Sequence, residues 1–272
     1  ASYDQSGANI ENTLDLEMVG STAPGASIYN VYGPSATYTN LDDALAYILN
    51  PNSSVPGLKN VSVVTNSWGG SDQNDSSWYQ YLEEAQTRGI TVLASSGDSG
   101  NNPNSSKWTG TGPEFPSTMA FNDFGVTAVG GTTLVVNDRP GTDPAHYLHI
   151  QSQIAWNISA ADTSDSGPAG SSGGISSVFS EPSWQKSTEA NSVIQGQGRG
   201  VPDIAATANN TWMYASSDGS LLQYEVWGTS IASPLVAGLV AEMDAVLTHE
   251  GRPPLGFADP SIYAWANRMV AP

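Results

Sequence analysis

The sequence predicts an α/β fold: a mostly parallel central sheet flanked by helices. Three observations carry this expectation. Short apolar runs, Val61–Thr65 and Ile90–Ala94, alternate with stretches whose apolar residues recur at helical spacing. Each run leads into a glycine-rich loop, where a parallel sheet gathers its reactive residues. Finally, the strand-like Leu221–Val226 turns through Trp227-Gly228-Thr229-Ser230 into a long helical pattern, Ile231–Leu247.

In chain order, Ile10, Leu14 and Met18 form a stripe that predicts a helix over Ile10–Val19. Glu11 and Asp15 lie one turn apart on an adjacent face. Taken alone the pair reads as a solvated acidic face; partly buried, the two carboxyls would share a proton. Ala26–Tyr32 alternates as a short strand, and Leu41–Leu49 is a helix stopped by Pro51. Strand Val61–Thr65 runs into the loop Asn66–Gly70, helix Ser76–Thr87 ends at Gly89, and strand Ile90–Ala94 runs into Ser95–Gly100. Phe124–Val136 has strand composition. Residues 137–174 read as irregular, Ile175–Phe179 as strand-like, Ser180–Gln185 as a turn and Gly200–Ala205 as a short buried piece. Pro253-Pro254 ends the long helix, and a tail follows to Pro272.

The 272 residues show no Pro- or Gly-rich linker, so one domain over 1–272 is expected. Hydrophobic residues make up 39%, enough for a substantial core. Eight Lys and Arg against 26 Asp and Glu give a formal charge of −18 and a pI near 4.1. That balance argues against nucleic acid or an anionic membrane as partner and suits an acidic medium. The absence of cysteine excludes a thiol nucleophile or a cysteine metal site. Glu242 and Asp244 interrupt the apolar run after Ser230, so no bilayer span is expected.

Ser230 at a helix N-terminus has free backbone N–H groups and a positive dipole end beside it, surroundings that favour a developing oxyanion. Gly228 allows a tight turn, and Pro234 is read as falling in the first helical turn. An isolated Gly-Thr-Ser is better read as an N-cap. A serine nucleophile also needs a base. His146 and His149 fall in the irregular region and His249 after the long helix, and none has surroundings that would hold an imidazole rigidly.

Several segments together resemble the sedolisin family of serine-carboxyl peptidases, a branch of the subtilisin-like fold. Gly228-Thr229-Ser230 with Pro234 is similar to its nucleophile motif, and Glu11-Asn12-Thr13-Leu14-Asp15 to its Glu-x-x-x-Asp helix, with Ala23-Pro24-Gly25-Ala26 following. Ser67-Trp68-Gly69-Gly70, Ser96-Gly97-Asp98-Ser99-Gly100, Gly173-Gly174-Ile175-Ser176 with Pro182-Ser183-Trp184-Gln185, and Gly198–Asp203 match further segments in the same order. The histidine segment that true subtilisins require is missing. The resemblance implies a subtilisin-like three-layer fold and an acid-acting endopeptidase. In it, Ser230 is the nucleophile, Glu11 its general base and acid, and Asp15 the carboxyl that hydrogen-bonds Glu11. Asp98 is the oxyanion-hole donor, a role open to a carboxyl only while protonated. Ser67, Trp68, Gly69, Gly173 and Gly174 line the substrate cleft by the same resemblance, and Glu114 faces a specificity pocket.

The resemblance further implies a peptide or protein substrate, secretion into an acidic environment, and calcium. The family's N-terminal extension and C-terminal calcium-binding segment are not found, which adds a propeptide or a separate C-terminal chain to the expected partners. Trp227 stands where the family usually has a small residue and is expected to reshape the cleft. A second reading, motivated by the ends, is a catalytically silent surface or assembly protein that kept the peptidase fold.

Overall fold

The computed structural model describes residues 8–50, 55–100, 112–137, 149–158, 169–217 and 220–270. The first half contains α1 (Ala8–Thr22), α2 (Tyr38–Leu49), β1 (Val63–Asn66), β2 (Gly70–Ser71), α3 (Ser76–Arg88), β3 (Thr91–Ser95), β4 (Glu114–Phe115) and β5 (Thr127–Asn137). Then come β6 (His149–Ala155), β7 (Asn157–Ile158), β8 (Ala169–Gly170), β9 (Gly174–Ile175), α4 (Ser183–Lys186), α5 (Asn191–Ile194) and β10 (Gly200–Val201). The chain closes with β11 (Ile204–Thr207), β12 (Thr211–Ser217), β13 (Ser220–Val226), α6 (Thr229–His249) and α7 (Asp259–Val270).

The central sheet runs β1-β3-β5-β11, with every pair parallel, and β6 adds antiparallel to the far half of β5. β3 is buried along its whole length, as expected of a strand covered on both faces. Alternation then sorts its side chains into two cores. Val92 and Ala94 join α2 and α3 through Leu45, Leu49, Trp78 and Leu82. Leu93 joins Val129 and α6 through Ala232, Val236 and Val240. Helix, sheet and helix thus form the three layers expected of the subtilisin-like fold.

α6 is 21 residues, with an 18-residue stretch of mean hydropathy 1.5, long and apolar enough to cross a bilayer despite Glu242 and Asp244. Here it is a core helix, packed on α1 and on β1, β3, β5 and β11. Pro234 falls in its second turn rather than its first, so the Ser230 carbonyl loses its usual helical donor. α1 crosses α6 closely at Gly238, where a Cβ would stand 1.8 Å from Thr22 Oγ1. Only glycine fits, and the close crossing brings the acidic face of α1 to the start of α6.

Arg199 is fully buried. Its guanidinium donates to Asp203 through Nη1 at 2.7 Å and through Nη2, stacks 5.0 Å from the Trp184 ring, and lies 3.6 Å from Asp259 Oδ2. Asp203 also accepts from Ala128 N at 2.7 Å and Tyr263 hydroxyl at 2.9 Å, tying β5 and α7 to the segment before β11. Removing one partner of a buried pair strands the other charge. Asp203→Ala is therefore expected to cost about 3–5 kcal/mol, read as a fall in melting temperature; an unchanged melting temperature would contradict this.

Some local expectations are corrected. Ala26–Tyr32 forms no strand and pairs with no described strand, because alternation sets a face without supplying a neighbouring edge. In Ile175–Phe179 only the first residue is in a strand: Ser176 Oγ accepts from Val178 N and Phe179 N and turns the chain. Ser183–Lys186 forms a helical turn, and the tail contains α7. Of the region read as irregular, 149–158 and 169–170 hold β6 to β8, while His146 lies outside the described residues.

Candidate active site

The loops at the C-terminal ends of β1 and β3 face the N-terminus of α6 and the acidic face of α1. β1 ends at Asn66, and Ser67 follows, donating its hydroxyl to Asp15 Oδ1 at 2.6 Å. β3 ends at Ser95 and leads to Asp98, whose Oδ1 accepts from Thr229 N and Thr229 Oγ1, both at 2.7 Å. Thr229 Oγ1 in turn accepts from Gly97 N at 3.1 Å. Asp98 Oδ2 points at Gly228, where a Cβ would sit 2.9 Å away. Gly228 has φ +136°, which L side chains rarely adopt, so the sequence uses glycine where the carboxyl comes close.

The Ser230 hydroxyl lies beside Glu11 and favours its ionised form. Glu11 Oε1 is buried with no hydrogen-bond partner. Asp15 acts on Glu11 through charge, and its Oδ1 is taken by Ser67 rather than by Glu11. Ser67 thus has a side-chain role that its place in a cleft-lining strand did not reveal.

Burial raises every carboxyl of the group. Glu11 is pushed up by desolvation, against the Ser230 hydroxyl and with the Asp98 charge adding to the rise. Asp15 rises to about 8 by desolvation, opposed by Ser67 and reinforced by Glu11. Asp98 is raised by desolvation against its two bonds from Thr229, and Glu114 rises to about 7 by desolvation with the Asp98 charge. In an unfolded chain such groups titrate near 4. Between about 4 and 8 the folded state binds more protons than the unfolded one, so stability falls as pH rises through that window. The melting temperature is expected to drop from pH 4 to pH 8; a rise over the same range would contradict these shifts.

A cleft of about 710 Å³ opens over the group, lined among others by Ser67, Trp68, Gly69, Asp98, Glu114 and Ser230. Glu11 and Asp15 are not among its lining residues. Gly174 pairs with Val201 in a two-stranded ribbon, and from this segment it is Ile175 and Ser177 that face the cleft, not Gly173 or Gly174. Glu114 Oε1 accepts from Ser99 Oγ at 3.5 Å, and a Cβ on Gly69 would stand 2.5 Å from Glu114 Oε2. Trp227 is not among the residues lining the cleft, contrary to expectation; half-buried, it packs against the core, its ring 5.6 Å from that of Trp156. Thr229 and Ser99 stand inside the quoted motifs without an assigned role, and Asp72 lies outside them. Thr229 was legible as a short polar neighbour of Ser230 at a helix start.

His249 is exposed at the far end of α6, roughly 28 Å from Ser230 at 1.5 Å per residue. His149 opens β6. The described residues hold no group of three or more His, Cys, Asp or Glu placed to bind a metal ion, so they do not fit the calcium that the resemblance implies.

Comparison with known proteins places the chain in a family. Residues 5–250 match the family model described as "Subtilase family". Kumamolisin of Bacillus sp. (strain MN-32) is 32% identical over 272 residues, covering 96% of this chain and 43% of its own length. Human tripeptidyl-peptidase 1 is 28% identical over 281 residues, with 94% of this chain and 43% of that protein covered. The chain therefore spans less than half the length of the curated relatives it matches. Among solved structures, Pseudomonas sedolisin, a serine-carboxyl proteinase complexed with two molecules of pseudo-iodotyrostatin, has a TM-score of 0.71 at 25% identity. It covers 98% of this chain and 70% of the sedolisin chain. The chain belongs to the subtilase family, in its sedolisin branch of serine-carboxyl peptidases.

Proposed function

We propose that the chain carries the catalytic centre of a secreted, acid-acting endopeptidase that cleaves peptide bonds through an acyl-enzyme on Ser230. The observation that carries the reading is the placement of the Ser230 hydroxyl beside a buried glutamate, with a second buried carboxyl one helical turn away. Glu11, ionised, takes the Ser230 proton as Oγ adds to the scissile carbonyl carbon. Asp15, protonated, places no second negative charge beside ionised Glu11. The carbonyl oxygen becomes an oxyanion that accepts from the Ser230 backbone N–H and from protonated Asp98 through Oδ2, the oxygen Thr229 leaves free. Glu11 then gives its proton to the departing amine as the C–N bond breaks. In the second half, Glu11 takes a proton from water as its oxygen adds to the acyl carbon, then gives that proton to Oγ as the acyl C–Oγ bond breaks and the acid product leaves.

An extended peptide would pair its backbone with Trp68–Gly69 on one side and with the segment after Gly173-Gly174 on the other. Glu114 would face the side chain next to the scissile bond. Asp15 and Asp98 must both hold protons, so the raised values extend activity above the range of ordinary carboxylates while leaving it acidic. A propeptide belongs to this reading through family kinship.

The test is a covalent one. A peptide aldehyde or fluorophosphonate at pH 4 is expected to modify Ser230, located by mass spectrometry, and to stop hydrolysis of a denatured protein. A chain that is neither modified nor active at any pH would point instead to a silent assembly protein.

A further inference from the structure

One end of the cleft is spanned by a carboxylate that the proton shuttle does not use. Asp72 follows β2 and lines the cleft. Its Oδ1 accepts from Thr118 Oγ1 at 2.8 Å, and its Oδ2 accepts from Ser176 Oγ at 2.7 Å and Ser177 N at 3.2 Å. Ser176 is buried, and its oxygen accepts from Val178 N at 3.0 Å and Phe179 N at 2.9 Å. One oxygen of Asp72 is thus tied to the segment after β4, the strand that carries Glu114 and pairs with β2. The other holds the turn after β9, on the wall that presents Ile175 and Ser177.

We infer that Asp72 is a positioning residue that fixes the separation of the two cleft walls, and so sets the affinity for an extended peptide. The inference rests on the peptide-binding role proposed above. A strand slotted between two edges needs them about 9.5 Å apart, twice the spacing of neighbouring strands. A hydrogen-bonded carboxylate reaching both walls sets that distance at one end. The backbone pairing it supports is made equally in the bound substrate and in the transition state, so its loss raises KM and leaves kcat in place. The three donors already on Asp72 also mean that it acts through the walls rather than by gripping charge on the peptide.

The test measures peptide binding at pH 4 in the Ser230→Ala background, by fluorescence anisotropy of two rhodamine-labelled octapeptides. One carries a free amino terminus and a central lysine; the other is acetylated and has no cationic side chain. Asp72→Ala is expected to weaken both by about tenfold. Asp72→Asn is expected to keep most of the affinity, because the amide oxygen still accepts from Ser176 and Ser177 and its N–H can donate to Thr118. Ser176→Ala should weaken both peptides as well, and the double variant should be no weaker than Asp72→Ala alone. Ser176→Ala carries the test if Asp72→Ala does not fold. Unchanged affinity, or a loss confined to the cationic peptide, would overturn the inference. Turnover with Ser230 intact reads the function separately: turnover with unchanged binding rejects the strut alone, and a tenfold binding change without turnover rejects the proposed reaction alone.

Discussion

Ser230→Ala is expected to lower kcat by about 10⁴-fold or more, Glu11→Gln by about 10²–10⁴-fold, and the double variant by no more than Ser230→Ala alone. The argument is chemical. Glutamine has nearly the size and shape of glutamate, so Glu11→Gln keeps a partner for the Ser230 hydroxyl but cannot take its proton. A serine whose proton has nowhere to go gains little from a good oxyanion site. Glu11 is not among the residues lining the cleft, so KM should hardly move. Steady-state kinetics on a peptide substrate at pH 4 check this, with anisotropy confirming that the variants still bind. Near-normal turnover in Glu11→Gln would remove glutamate as the base.

Asp98→Ala is expected to cost about 10²–10³-fold in kcat, the usual loss when one oxyanion donor is removed. Asp98→Asn separates two roles. Thr229 places both of its hydrogen bonds on Oδ1, which an asparagine oxygen can still accept, while the amide N–H₂ takes the place of Oδ2. The donor is then permanent. In the unsubstituted chain it is lost as pH rises through the Asp98 pKa, which burial holds above the ordinary carboxylate range against the Thr229 bonds. Asp98→Asn is accordingly expected to retain much more activity than Asp98→Ala and to move the alkaline limb of the pH profile upward, toward the limit set by Asp15 near 8. Equal inactivity of the two variants would contradict a donor role.

Much of this arrangement was legible in the sequence because it rests on local periodicity. Of the stripe Ile10, Leu14 and Met18, the last two are buried and Ile10 is exposed at the helix start; the buried pair fixed which face of α1 packs inward, and with it where Glu11 and Asp15 point. The apolar runs before Ser67 and Asp98 gave the parallel strands and placed both loops at one end of the sheet. What periodicity could not supply is anything decided by tertiary partners. Ala26–Tyr32 alternates as a strand should, yet no described strand pairs with it. The Ser67 bond to Asp15 joins residues 52 positions apart, and the Asp72 bond to Ser176 joins residues 104 apart. The resemblance puts Trp227 where it should reshape the cleft, but the Trp156 ring holds it against the core instead. Arg199 was visible only within a quoted motif; that it is buried depends on Asp203, Asp259 and Trp184 converging from three segments.

The pH dependence of kcat/KM bears most directly on the claim that carboxylic acids move the protons for Ser230. The acid limb should follow ionisation of Glu11 and the alkaline limb the loss of protons from Asp98 and Asp15, giving a bell with its maximum on the acid side of neutrality. A profile that instead rises through a single group near pH 6.5 to a plateau at neutral or alkaline pH would assign the base to an imidazole. That result would contradict the account at its centre.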